Sequence, residues 1–166
     1  MRAGIALGAN LGHRLLNLTT ARARIFNLPG ASPPFLSSAV YESDAVDCER
    51  GANRFLNAVV EIGYSGGTQV LLDELKKIEA ALGRPSQHLP NHSRTIDLDL
   101  LYHGGREIDG MQLQLPHPRL HLRAFVLHPL AEIRPNLILP GQVQTVGELS
   151  TELAAGPSVV RATKQW

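Results

Sequence analysis

Cysteine is almost missing from this sequence. Cys48 stands alone, which excludes an internal disulfide and a cysteine-based zinc site. Lysine is scarce too: only Lys76, Lys77 and Lys164 occur among the 16 basic residues. Positive charge is therefore carried by arginine, whose planar fork suits a bidentate grip on phosphate or carboxylate, although a GC-rich genome produces the same bias. The formal net charge is only +1, so there is no cationic excess of the kind that nucleic acid or an anionic membrane would call for. No apolar run approaches the roughly 20 residues that cross a bilayer. The start, Met1 to Gly8, is too short in its apolar part for a signal peptide. These absences lead us to expect a cytoplasmic, monomeric protein with no membrane or nucleic-acid partner. A length of 166 residues and 43% apolar content suit one domain, 1–166, with a sizeable core.

What is present reads as a regular alternation of elements. Ala3 to Leu7 is a short apolar strand closed by the turn Gly8-Ala9-Asn10-Leu11-Gly12. Leu11, Leu15, Leu18, Arg22 and Ile25 then follow helical spacing up to Pro29-Gly30. Ala31 to Pro34 reads as a connector and Phe35 to Tyr41 as a strand, before a charged, irregular loop over 42–54. Phe55 to Tyr64 alternates again, with Phe55, Asn57, Val59 and Glu61 on one face. Thr68 is placed to cap a helix over 69–82, stopped by Gly83, and a second irregular loop spans 84–94. After a further strand, Leu115-Pro116-His117-Pro118 is extended, because each proline restrains its predecessor. Residues 121–133 look helical despite Pro129, 145–151 form a short helix, and the tail beyond Gly156 carries little signal. The order β-α-β-β-α-β over 3–102 predicts an α+β, ferredoxin-like antiparallel sheet with helices on one face, plus a C-terminal extension.

The most informative stretch is Arg94-Thr95-Ile96-Asp97-Leu98-Asp99-Leu100-Leu101-Tyr102. Read as a strand, it puts Asp97 and Asp99 on one face, roughly 7 Å apart at Cα. Like charges that close repel unless one is protonated or a cation lies between them. Oxygen-only ligands suit Mg²⁺, which takes one or two carboxylates and fills its remaining positions with water and substrate phosphates. Two aspartates on the solvent face of a strand would need no such explanation; Arg94 and the nearby histidines favour the metal reading.

Taken together, Gly8-Ala9-Asn10-Leu11-Gly12, Phe55-Leu56-Asn57-Ala58, Ile78-Glu79 with Gly83-Arg84, Arg94-Thr95-Ile96-Asp97-Leu98-Asp99, Leu115-Pro116-His117-Pro118-Arg119 and Arg123-Ala124-Phe125 resemble the 6-hydroxymethyl-7,8-dihydropterin pyrophosphokinases of folate biosynthesis. The segments follow that family's order and spacing over about 3–140, and the joint spacing is what makes the resemblance specific. It implies transfer of pyrophosphate from ATP to the pterin hydroxymethyl group, releasing AMP. It also implies two Mg²⁺ ions on Asp97 and Asp99. Arg84, Arg94, His117 and Arg123 would grip the triphosphate, with Glu79 at the nucleotide site. Phe55 and Phe125 would sandwich the pterin, and Asn57, Ser43 and the backbone near Ala45 and Val46 would meet its polar edge.

The chain also departs from the family pattern. Asp44 stands where the family usually has proline. The second loop carries Ser86, Gln87, Pro90 and Asn91 where the family has further basic residues and a tryptophan lid; His88 and His92 supply only partial charge there. A paralogue with weakened activity or another pterin substrate would keep the acid pair and change these positions. A Mg²⁺-dependent phosphohydrolase or nuclease would use the same residue types, though the near-neutral charge argues against a nucleic-acid groove. A non-catalytic ferredoxin-like binding module would have no use for Arg94, Asp97, Asp99 and His117 together.

Overall fold

The computed structural model describes residues 1–45, 51–84, 92–153 and 159–166. Strand β1 (Arg2–Ala9) leads into helix α1 (Arg14–Phe26), followed by β2 (Ala31–Ser37), β3 (Val40–Ser43) and β4 (Phe55–Tyr64). Helix α2 (Thr68–Ala81) precedes β5 (Asp97–His103) and the small hairpin β6 (Ile108–Asp109) and β7 (Gln114–Leu115). Helices α3 (Ala124–Ile133) and α4 (Val146–Glu152) and strand β8 (Val159–Thr163) complete the order.

The main sheet runs β5-β1-β4-β3-β8, with β2 also pairing to β4, and its pairings are antiparallel. The inner order β5-β1-β4-β3 is that of a ferredoxin-like sheet. Strand β4 is its middle, and every residue from Phe55 to Tyr64 is buried, because both of its faces are covered. On one face lie α1 and α2. Leu18, Ala21 and Ile25 of α1 and Leu71, Leu75 and Ile78 of α2 pack with Ile5, Leu7, Leu98 and Leu100. Each such aliphatic side chain contributes about 1.5–3 kcal/mol on leaving water. On the other face Val59, Leu101 and Tyr102 pack against Val126, Leu127 and Leu130 of α3 and Val146 and Leu149 of α4. The C-terminal extension is thus a second cover, and the open part of this face is left to the acid pair.

Several local expectations differ from the structure. Residues 31–34 belong to β2 rather than to a connector, even though Pro33 and Pro34 cannot donate ladder hydrogen bonds: Ala31 and Ser32 face Tyr64 and Gly63, and pairing resumes at Leu36 after an irregularity. Strand β3 reaches Ser43, inside the span read as loop, and β5 begins at Asp97, because Asn10 and Asn17 hold the backbone of Arg94 and Thr95 out of the ladder. Thr68 opens α2 but does not cap it; Gly67 is the cap residue and the Thr68 hydroxyl bonds Nδ1 of buried His103 at 2.9 Å. The weakly marked tail forms β8 on the edge of β3, and Trp166 donates from Nε1 to the Ser38 carbonyl at 2.7 Å. Its signal is faint because an edge strand need not alternate strongly.

Candidate active site

The cleft is built on the sheet face opposite α1 and α2. Leu98 and Leu100 point into the core beneath those helices, so Asp97 and Asp99 point the other way, as the alternation requires. Asp97 lies across from Gly8, which lies across from Asn57, which lies across from Tyr41, a row running through four strands. A methyl group on Gly8 would meet Asn57 Oδ1 at 3.4 Å, Phe55 Cδ1 at 3.7 Å and Asp97 Cβ at 3.9 Å. Glycine there leaves an open floor between the amide and the acid.

Arginines surround the acids. Arg84 bridges Glu79 and Asp97 Oδ1 through Nη1. Arg94 Nη1 lies 3.4 Å from Asp97 Oδ2, and Arg123 Nη1 3.6 Å from Asp99 Oδ2. The same two arginines cover the aromatics: the Arg94 guanidinium is 5.6 Å from the Phe55 ring centre and that of Arg123 5.5 Å from the Phe125 ring centre. The Nε atoms of Arg84 and Arg94 are buried without a hydrogen-bond partner among the described residues. Buried donors are rarely left unpaired, so their presence here points to an anionic ligand.

Strand β5 is the sheet edge, and its free groups are used to assemble the site. The Leu98 amide donates to Glu79 Oε1 at 2.7 Å, fixing the α2 acid that holds Arg84. The Leu101 carbonyl accepts from the His117 amide at 2.8 Å, just after the cis Leu115-Pro116 bond. His117 Nδ1 accepts from the Arg119 amide at 3.2 Å, which assigns the proton to Nε2 and makes that atom a donor. Burial, then the Arg123 and Arg119 charges, lowers the His117 pKa to about 4, so the ring is neutral. Burial raises Glu79 to about 7, against the pull of Arg84 and the Leu98 amide. Burial, followed by the charge of Asp97, raises Asp99 to about 6; its side chain nonetheless keeps 37% of its surface open to the cleft. An ionised acid pair here is therefore costly, and a cation would relieve the cost.

On the other side of Gly8, buried Asn57 donates from Nδ2 to Oγ of buried Ser43 at 2.9 Å. Phe55 is buried at the start of β4 and Phe125 half-buried on α3, where Pro129 cannot donate to its carbonyl. Ala45 is half-buried just past β3. Val46 and positions 85–91 lie outside the described residues. The structure thus gathers Glu79, Arg84, Arg94, Asp97, Asp99 and Arg123 into one charged cluster, edged by Phe55 and Phe125 and joined through Gly8 to Asn57 and Ser43. Asp44 does not face it unpaired: Arg54 Nε is 3.0 Å from Asp44 Oδ1, and Arg54 also pairs with Glu42. Sequence reasoning assigned no role to Gly8 or Asn10, though both sit in the Gly8–Gly12 motif that it singled out.

Known proteins resemble this sequence and share this fold. The chain is 42% identical over 129 residues to the 2-amino-4-hydroxy-6-hydroxymethyldihydropteridine pyrophosphokinase of Bacillus subtilis, covering 78% of this chain and 75% of that one. It is 36% identical over 152 residues to the enzyme of the same name from Methylorubrum extorquens, covering 92% and 93%. The crystal structure of the Plasmodium falciparum HPPK-DHPS with pteroate shares the fold, with a TM-score of 0.70 at 14% identity; the match covers 93% of this chain and 42% of that one. The family model described as 7,8-dihydro-6-hydroxymethylpterin-pyrophosphokinase matches residues 4–135, a span that takes in the whole cluster and both sides of Gly8. On that match the chain belongs to the 7,8-dihydro-6-hydroxymethylpterin-pyrophosphokinase family.

Proposed function

We propose that the cleft transfers the pyrophosphoryl group of ATP to the hydroxymethyl oxygen of 6-hydroxymethyl-7,8-dihydropterin, releasing AMP, with Asp97 and Asp99 as the Mg²⁺ ligands. The hydroxyl oxygen forms a bond to the β-phosphorus as the bond from that phosphorus to the oxygen bridging to the α-phosphate breaks. The hydroxyl proton leaves to Asp97 or to water. The observation that carries the reading is the acid pair on one strand face, flanked by three arginines of which two keep a buried, unpartnered Nε.

The donor set fits magnesium. Two hard carboxylates share a face, the oxygen donors that Mg²⁺ takes beside water and substrate phosphates. When bound, Mg²⁺ would neutralise phosphate charge and orient the triphosphate; the number of ions, expected as two, belongs to this proposal. The protein does the rest by positioning. Arg84, fixed by Glu79, and Arg94 would hold the triphosphate, with Arg123 beyond Asp99. Neutral His117 would donate from Nε2 to a phosphate oxygen. Phe55 and Phe125 would take the flat ring between them. Asn57, with Nδ2 held by Ser43, would turn its carbonyl oxygen toward the floor over Gly8, where a pterin amino group would donate to it.

The test is AMP formation from ATP and Mg²⁺ with and without the pterin. Pterin-dependent AMP that disappears in Asp97→Ala is expected. ATP cleavage to phosphate that ignores the pterin would overturn the reading in favour of a phosphohydrolase.

A further inference from the structure

Asn10 belongs to the turn after β1, is only 1% exposed, and its side chain makes three hydrogen bonds, through both amide hydrogens and the carbonyl oxygen. Its Oδ1 accepts from the Arg94 amide at 2.7 Å. Its Nδ2 donates to Ser93 Oγ at 2.9 Å and to the Asn53 carbonyl at 3.2 Å. The Arg94 carbonyl accepts in turn from the Asn10 and Leu11 amides, at 3.1 and 3.2 Å. One side chain therefore ties together two segments that are 41 positions apart in the chain, Asn53 to Arg94. Asn53 is two residues before Phe55, and Arg94 is the arginine that both faces Asp97 and covers the Phe55 ring.

We infer that Asn10 is a positioning residue that holds the nucleotide side and the pterin side of the cleft in one frame. The inference rests on the reading of the site given above. The role needs an acceptor and two donors on one short planar side chain, which only asparagine offers at this reach. Aspartate keeps the acceptor and loses the donors; alanine loses both; glutamine is a methylene too long for a buried turn. The bonds also separate by substrate. Those to the Arg94 amide and to Ser93 Oγ fix Arg94, which would hold the triphosphate, whereas the one to the Asn53 carbonyl fixes the approach to Phe55, which would hold the pterin. The Ser93 hydroxyl can donate to an aspartate oxygen instead, so Asn10→Asp removes the Asn53 bond alone.

The experiment is direct titration of each ligand alone, a non-hydrolysable ATP analogue with Mg²⁺ and 6-hydroxymethyl-7,8-dihydropterin, against wild type, Asn10→Asp and Asn10→Ala. For Asn10→Asp we expect pterin Kd to rise about tenfold while the nucleotide Kd stays within about threefold, the size of one or two lost hydrogen bonds. For Asn10→Ala both should rise about tenfold, with faster hydrogen exchange at the Arg94 amide. A purely structural asparagine would lower Tm and leave both Kd values in place, and that result overturns the inference. So does Asn10→Asp weakening the two ligands equally. If the variants do not fold, wild type decides: pterin alone should slow exchange at the Arg94 amide, and an unchanged rate would refute the coupling. Wild type that binds neither ligand would instead overturn the reading of the site, and the Arg94 exchange rate in Asn10→Ala would still judge Asn10.

Discussion

Two rows of side chains cross the same face of the sheet, each centred on a glycine of β1. In one, Asn57, Gly8 and Asp97 lie abreast on β4, β1 and β5. In the other, Glu61, Gly4 and Tyr102 lie abreast on the same strands. Both rows place a polar group on β4 and another on β5, and they differ in how those groups are satisfied. Glu61, 0% exposed, accepts from Arg2 Nε at 2.7 Å, from Arg134 Nη1 at 3.0 Å and from the Tyr102 hydroxyl. The Tyr102 ring lies on Gly4 so closely that a methyl group there would collide with it. The cover supplied by α3, through Arg134, closes that end. At the other end α3 stops short, Gly8 has space above it, and the arginines retain buried donors without partners. A fully matched polar row serves as architecture, whereas the spare donors beside the other row support the binding role proposed for it.

The largest expected effect breaks the symmetry of function. Asp99→Asn should lower kcat/KM for pterin-dependent AMP formation by about 10³-fold, the scale of several kcal/mol of lost charge stabilisation. Its stability should not fall. Because the folded Asp99 pKa is raised to about 6, ionised Asp99 at pH 7.5 disfavours the folded state, so the Tm of Asp99→Asn should equal or exceed that of wild type. EDTA should likewise abolish turnover and leave the melt in place. A fall of several degrees in either melt would mean that the acid pair is part of the scaffold.

Glu61→Ala should do the reverse. Removing the shared acceptor leaves the Tyr102 hydroxyl and two arginines facing a void, at a cost of about 3 kcal/mol read by urea denaturation. The protein that remains folded should turn over at close to the wild-type rate. Loss of activity without loss of stability would place Glu61 in the site.

The contrast also shows what a single sequence reveals and what it does not. The acid pair, the β4 alternation and the helices α1 and α2 were legible because each rests on local periodicity. The ferredoxin-like order followed from them. The helices α3 and α4 were legible as well, despite Pro129, but their docking on the second face was not, nor was β8, because a short edge strand gains its place from packing rather than from propensity. Asp44 was legible only as a departure at a family proline, since nothing local announces that Arg54, ten positions on, would meet it. Glu79 follows two surface lysines, Lys76 and Lys77, in sequence, yet it is the clamp on Arg84 and Leu98. Such roles depend on which edge a strand occupies, and that is decided by tertiary pairing.

The two glycines offer a smaller and sharper test of the same comparison. Gly4→Ala should destabilise by about 1–3 kcal/mol, because the Tyr102 ring must move or the strand must bow. Gly8→Ala meets only ordinary contacts of 3.4 Å and beyond, and alanine is the better strand residue, so its Tm should hold or rise slightly. The added methyl would instead raise the floor between Asn57 and Asp97, and pterin Kd should weaken about tenfold, the worth of a misplaced methylene in a binding pocket. An unchanged pterin affinity in Gly8→Ala would place the flat ring elsewhere than over this row.

The smallest effect is one of pH. His117 has its folded pKa lowered to about 4 from an ordinary 6.5, so between those values the unfolded chain binds the extra proton. Folding stability from this group is full above about pH 6.5 and is lost as pH falls toward 4. Asp99 acts with the opposite sign, since its raised pKa adds stability as pH falls below about 6. The difference between wild type and His117→Asn cancels the Asp99 contribution and isolates the ring. In metal-free protein, urea midpoints measured from pH 7 to 4.5 should therefore fall more for wild type than for His117→Asn. Equal slopes would mean that His117 is free to protonate where it stands, and a charged imidazole rather than a neutral donor would then face the phosphates.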